Sequence, residues 1–536
     1  MQSADAEKSR DTLSAFFSRR DLLFLGGVSV FIFLQVFILP FTPVYIEGDQ
    51  LLPVSNAMRL LSGEVMYRDF FHFAPPGAEL YYAAAFSIFG VKIWVMNATV
   101  VILAIAQLLL VFAFSKKLLS GWFVYLPTLL FFILGFRLYG IDGSYRLFSV
   151  VFVLLAAWFV FRELSTKTIV IAGMLCGLSS FFVQTRGILG IGAIGLFILW
   201  AHWKDSKGFS AIARDWAIAS AAFLVTVIVT QLPVALIGGV DNYYFANVTF
   251  LKDHYGADSL SNTLAYFSDL PDVNAYMSSY GTVGGIFRYF RVAAPTLFFY
   301  AIVPAVYLIY FAYRYFRKPE ESIDRGIILL TILGGVLFLG VSAPTGFRIY
   351  HIAIPAVVVL TWLFSKLVGQ TVGLAAVIVL CLLGALYSVQ RQTAENATVD
   401  LPAGNAAFLA PAMAEKYLWL KEQSKPGDLI YEAQHPTYYF PMLLKNPTPF
   451  YLVRDNNYTP DFQVAQLIAS LKANPPRFIV WHGLWSKGAA DRKQGDNLEP
   501  LWQYIQANYE LRREFKELGE FTTNSERDIE FWELRR

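Results

Sequence analysis

Cysteine is almost missing from this chain. Only Cys176 and Cys381 occur, each inside an apolar run, so no pair is available to cross-link exposed regions and no structural disulfide is expected. Charge is scarce too: Asp, Glu, Lys and Arg make up 15% of the 536 residues, against 56% hydrophobic residues and a mean hydropathy of +0.48. That balance is too apolar for a water-soluble domain of such length, and it makes the bilayer the main solvent. The net charge is only +3, and the basic residues are spread over short loops instead of forming one run, which excludes nucleic acid as a partner. The tail has no internal repeat, Gly-rich phosphate loop, Cys/His metal spacing or familiar nucleophile motif.

What is present is a series of long hydrophobic runs. A hydrocarbon core of about 30 Å needs roughly 20 apolar residues in a helix. Cut at that length, the sequence gives about eleven spans, near 22–40, 92–115, 118–136, 145–161, 168–185, 187–203, 216–237, 293–316, 326–343, 349–365 and 371–390. The run from Asp21 to Pro40 lacks a small-residue cleavage signature and reads as a retained first span, not a removed signal peptide. Lys and Arg fall on one side, from Lys8, Arg10, Arg19 and Arg20 through Lys116, Arg162, Lys204, Arg317, Lys318 and Arg325 to Lys366. Short cytoplasmic loops carry that excess, so this side, with the N-terminus, is the expected cytoplasmic one.

The other side receives residues 41–91, residues 238–292 and everything after Gln390. Pro75 to Gly90 is apolar but too short to span and reads as an interfacial helix. The 238–292 loop is rich in Tyr, Asn and Asp, which suits carbohydrate and an ordinary interfacial loop equally. Beyond residue 390 the composition changes. Asp428–Tyr431 and Arg477–Trp481 read as buried strands, Ala412–Gln423 and Asp461–Ala473 as helices. The expected architecture is therefore a polytopic α-helical membrane domain, 1–390, followed by a small periplasmic α/β domain, 391–536.

Two carboxylates emerge just past the first span, in Tyr45-Ile-Glu-Gly-Asp49. Gly48 between Glu47 and Asp49 lets the backbone turn sharply and approach a ligand. A carboxylate at an apolar rim tends to hold protons more tightly, as a general base requires. Such residues also simply end spans at the polar interface.

The loop continues with Gly63, Tyr67, the pair Pro75–Pro76 and a closing Phe89–Gly90. In order and spacing it resembles the N-terminal region of the GT-C superfamily of polytopic glycosyltransferases, in the protein O-mannosyltransferase and aminoarabinose transferase branch. The resemblance is densest over residues 40–117 and continues as a hydropathy pattern to about 390. Many relatives have adjacent acids, whereas Gly48 separates them here, so the base lies between Asp49, which is favoured, and Glu47.

The resemblance implies a sugar donor linked to a polyprenyl phosphate, with membrane lipid around its tail, and a glycan, lipid or protein acceptor at the external face. It implies direct displacement with inversion. Such a donor needs no cytoplasmic nucleotide-binding fold, and the cytoplasmic loops are all short. A basic group must meet the leaving phosphate. Arg348, in a stretch that resembles the superfamily's late Arg/Tyr-rich motif, is the leading candidate, with snorkelling to lipid headgroups as the alternative. His351, one helical turn along, is the next. Arg186 stands in an external turn where relatives often carry Lys, and His72 precedes the Pro pair. Asp142 resembles the acid of the second external loop, which in some branches helps bind a metal or the acceptor. A divalent metal is left open, as is a helix-capping role for Asp142.

The rival class is a polytopic transporter or a lipid or glycolipid flippase, which usually shows paired broken helices and polar groups near mid-membrane. Here the polar constellation lies at one face. A bacterial inner (plasma) membrane fits the scarcity of cysteine and the compact loops.

Overall fold

Lipid offers backbone N–H and C=O groups no partner, so the apolar runs close their hydrogen bonds internally as helices. The computed structural model describes residues 17–256, 270, 272–316, 324–341, 343–433, 435–454, 458–482, 497–517 and 527–535. Lys8, Arg10, Arg317 and Lys318 of the basic set, and residues 257–269 of the second large loop, lie outside the described residues. Each apolar segment cut from the sequence falls on helix. Among the described residues, six helices have the length and apolarity to cross a bilayer: Ile93–Leu118, Tyr145–Arg162, Gln184–Lys204, Phe209–Gly238, Val292–Phe316 and Gln370–Thr393. Four shorter apolar helices accompany them, Leu126–Gly140, Thr166–Phe182, Arg325–Leu339 and Ile354–Ser365. The protein is a multi-pass α-helical membrane protein.

The first helix, Arg19–Val36, starts at a capping box in which Ser18 and Asp21 each accept the other's backbone N–H, at 3.3 and 2.8 Å. Asp21 also pairs with Lys116 at the end of the 93–118 helix, and Arg325 pairs with Asp205. These basic helix ends therefore share a face.

Two expected helices are broken. The 118–136 segment is a 3-10 turn at Gly121–Val124, an α-helix at Leu126–Phe131 and a π-helix at Phe132–Gly140. The wide turn brings Gly135 against Tyr350, where a Cβ would lie 2.2 Å from the ring. The late segment opens with a separate turn, Gly346–Tyr350, and restarts at Ile354 with a proline in its first turn. Proline lacks the N–H that such a start leaves unpaired anyway.

In the first large loop, helices Leu51–Leu61 and Gly77–Phe89 pack on each other. Gly77 meets the carbonyl of Phe181 so closely that a Cβ would stand 2.5 Å from it, which fixes the Gly77–Phe89 helix against the Thr166–Phe182 helix. After Thr393 come a hairpin, Ala397–Leu401 with Gly404–Phe408, and a four-stranded sheet. Its order is Ile430–Glu432, Phe478–His482, Arg527–Leu534 and Tyr509–Glu517, the first pair parallel and the others antiparallel. Helices Pro411–Gln423, Asp461–Ala473 and Glu499–Asn508 accompany the strands. One hydrophobic cluster runs from Tyr45, Leu51 and Tyr82 to Phe408, Tyr417 and Phe440, so tail and first loop share a core.

Candidate active site

The chain leaving the first helix is held by Asn97, whose amide donates to the carbonyls of Val36 and Val44, both at 2.9 Å. A few residues on, the carbonyl of Asp49 accepts the N–H of Leu52 at 3.2 Å, so Asp49 stands just before the start of the Leu51–Leu61 helix, where the dipole favours an anion. Its carboxylate is 40% exposed, and Arg146 Nη1 donates to Oδ2 at 2.6 Å. Arg146 lies in the first turn of the Tyr145–Arg162 helix, and the same nitrogen is 3.9 Å from Asp142 Oδ2. Phe347 closes over its guanidinium at 4.9 Å. Sequence reasoning assigned Arg146 no role. It is the centre of the site.

Asp142 accepts the Ser144 backbone N–H at 3.0 Å and the Ser144 hydroxyl at 2.5 Å, which fixes the loop before the 145–162 helix. Burial, opposed by Arg146 and reinforced by Asp49, raises its carboxyl from the ordinary 3.8 to about 6. Removal from water alone would raise Asp49 as well, but Arg146, His435 and Arg348 together hold it below its usual range. The expectation of a high proton affinity at Asp49 is thereby corrected: the guanidinium reverses it, and Asp142 is the acid with the raised value.

Arg348 is half-buried and shares the face of Asp49, whose field it joins; its Nη2 donates to Tyr255 Oη at 3.3 Å. The other predicted phosphate ligands sit differently. Arg186 is buried and donates to the Arg146 carbonyl at 2.6 Å and to Ser149 Oγ at 2.9 Å, so it steadies the backbone that carries Arg146. His351 is buried, with Phe347 edge-on at 4.9 Å and both ring nitrogens without a hydrogen-bond partner among the described residues. His72 is buried with Nε2 2.9 Å from Glu79 Oε1, itself fully buried on the Gly77–Phe89 helix. Both imidazoles are closed off by neighbouring side chains instead of facing the open carboxylate.

Glu47 turns the other way, toward the tail. It accepts from Tyr417 Oη at 2.5 Å and pairs with Lys416 Nζ at 3.0 Å, a lysine only 2% exposed. Among the described residues no three His, Cys, Asp or Glu side chains converge. Asp49 and Asp142 flank a guanidinium, and a hard divalent cation wants six or more oxygen ligands. That donor set does not fit such a metal.

No family model and no curated protein matches the sequence. Among solved structures the chain is similar to ArnT from Cupriavidus metallidurans in the apo state, over 95% of this chain and 97% of that one, with a TM-score of 0.54 at 12% identity. The same protein bound to undecaprenyl phosphate gives 0.53 at 12% identity with the same coverage. The chain shares the fold of that protein. A looser likeness, TM-score 0.48 at 12% identity over 86% of this chain and 69% of the other, is to the apo oligosaccharyltransferase of Archaeoglobus fulgidus.

Within this fold, the charged cluster draws on the first loop, the loop before the 145–162 helix, the Gly346–Tyr350 turn and the tail. The Asp142–Arg146 spacing, i to i+4 across the start of the 145–162 helix, was a readable signal for the missed arginine. Lys416 and Tyr417 had none.

Asp142 also yields a stability prediction. Because its folded value is raised, its favourable contribution is full below about 4, is lost as pH rises to about 6, and stays lost above. Asp142→Asn removes the charge. Thermal unfolding in detergent should therefore show a gain of up to about 3 kcal/mol at pH 7.5 that vanishes near pH 4. No gain at pH 7.5 would mean that Arg146 already neutralises this acid in full.

Proposed function

We propose that this chain is a glycosyltransferase that moves a sugar from a polyprenyl-phosphate donor to a glycan, lipid or protein acceptor at the external membrane face. The observation that carries the reading is the Asp49 carboxylate. One oxygen is fixed by Arg146, and the other has no hydrogen-bond partner among the described residues. The group is ionised at neutral pH and lies in the field of Arg348. An anchored carboxylate with a free oxygen is what a positioned base requires.

In this reading an acceptor hydroxyl or amine attacks the anomeric carbon and passes its proton to Asp49 Oδ1. The bond from the anomeric carbon to the phosphate oxygen breaks, and polyprenyl phosphate leaves with the electron pair. Arg348 meets the charge that develops on it. Attack opposite the leaving group inverts the anomeric centre. Support comes from the similar ArnT structure that holds undecaprenyl phosphate. In the same reading residues 1–390 form the membrane-embedded catalytic part of an inner-membrane enzyme with a cytoplasmic N-terminus. Residues 391–536 form a periplasmic domain whose Lys416 and Tyr417 hold Glu47, leaving Asp49 as the base.

The test is reconstitution in proteoliposomes with a panel of polyprenyl-phosphate sugars. Release of free polyprenyl phosphate matched by a new glycosidic product supports the reading; lipid or sugar flux with no such product sinks it. A charge-assisted hydrogen bond contributes about 1.5–3 kcal/mol, so Arg348→Ala should raise the donor KM roughly 10- to 100-fold. An unchanged donor KM would remove Arg348 from the phosphate site.

A further inference from the structure

A second concave site lies away from the charged cluster, where the first loop, the 240–249 segment and the tail helix Asp461–Ala473 meet. Its volume is about 120 Å³. Phe71, Phe245, Phe450 and Phe462 wall it, with Phe71–Phe245, Phe71–Phe450 and Phe245–Phe462 ring centres 6.0, 6.1 and 5.6 Å apart. Gln463 and Gln466 supply amides. Gln463 is only 3% exposed, yet its side chain lines this space and makes no hydrogen bond among the described residues. An amide that gives its side-chain hydrogen bonds to no described protein group and opens into a cavity is free to offer a ligand both donor and acceptor.

The chemistry of that ligand follows from what the walls offer. Aromatic faces alone would also suit a quaternary ammonium group, but no carboxylate that is free to attract one lines the pocket. An anion would need an unengaged cation, and the guanidinium of Arg68, which also lines the pocket, is paired with Asp69, with Nε and Nη2 at 2.9 and 2.8 Å from its two oxygens. An acyl chain would leave Gln463 unsatisfied. A neutral pyranose meets every condition, with ring C–H groups on aromatic faces and hydroxyls on amides.

The pocket is linked to the charged cluster by a belt of rings. Phe71 contacts Phe250 at 4.8 Å, Phe250 contacts Phe73 at 5.4 Å, and Phe73 contacts Tyr255 at 5.1 Å, the tyrosine that binds Arg348. None of Asp49, Asp142, Arg146 and Arg348 lines the pocket, so a sugar held here is not the unit undergoing transfer. We infer that this aromatic and amide pocket binds a neutral sugar unit of an extended glycan acceptor, remote from the unit that reacts. The inference rests on the glycosyltransferase reading for the word acceptor and on the pocket alone for the sugar.

Saturation-transfer NMR on the purified full chain, with neutral methyl pyranosides and their linear oligomers as probes, tests it. Ring-proton signals are expected for at least one neutral series. Phe462 is 56% exposed, so Phe462→Ala should fold normally and weaken that binding about three- to tenfold. Gln463→Leu should abolish it while leaving Tm unchanged or raised, which a purely structural glutamine would not do. Absence of signal from every sugar, retention of binding in both variants, or signals from aromatic peptides alone would overturn the proposal. In turnover assays the two variants should raise the acceptor KM and spare the donor KM. Sugar binding that is lost in the variants, in a protein that transfers nothing, would sink the transferase reading and leave the pocket standing. Transfer with an unaltered acceptor KM in both variants would sink the pocket and leave the transferase.

Discussion

Asp49→Asn should slow sugar transfer by about 10²- to 10⁴-fold, the usual contribution of a positioned general base, with little change in folding. The substitution keeps the shape of the side chain, and the amide oxygen still accepts from Arg146, which now holds Oδ2 at 2.6 Å. Only the capacity to take a proton is lost. The parent carboxylate is held below its ordinary range, so it is ionised at neutral pH and wild-type turnover should fall only as the medium becomes acidic. The variant should show no such acid limb. Release of polyprenyl phosphate in single-turnover mixtures reads both. Parental rates in the variant would eliminate Asp49 as the base and return attention to Glu47.

Arg146→Met should be more damaging to the fold. It leaves Asp142, buried in its loop, and Asp49 with no cation between them, and removing one partner from a buried ion pair typically costs about 3–5 kcal/mol. Without the guanidinium the Asp49 carboxyl also rises, so any residual transfer should have its optimum moved to higher pH. The double variant Arg146→Met, Asp142→Asn should recover part of the lost stability and little of the activity, because it removes one stranded charge and leaves the base unanchored. Detergent melts of the four proteins form the cycle that measures this coupling. Additive effects would mean that Arg146 and Asp142 do not interact.

The helices were legible because hydropathy over about twenty residues reports burial in lipid whatever the partners are. Helix character was harder to read. Nothing local distinguishes the π-helical Phe132–Gly140 from an α-helix; it is set by Tyr350 packing on Gly135 from far along the chain. The acid loop was legible by its turn and its motif, yet the proton affinity of Asp49 was misjudged, since it depends on Arg146, 97 residues away. Asp142 was open between a cap and a ligand, and it bonds to Ser144 while reaching toward Arg146. His72 could not be read as buried, because Glu79 reaches it only through the bend made by Pro75 and Pro76.

The bond from Tyr417 to Glu47 spans 370 residues of chain. During synthesis the acids are made early, while the lysine and tyrosine that meet Glu47, and the histidine near Asp49, follow about 370 residues or more later. A nascent chain halted before residue 411 thus carries Glu47 without Lys416 and Tyr417, and Asp49 without His435. On the proposed transferase reading, the acid site is complete only once the tail has been made and packed against the first loop.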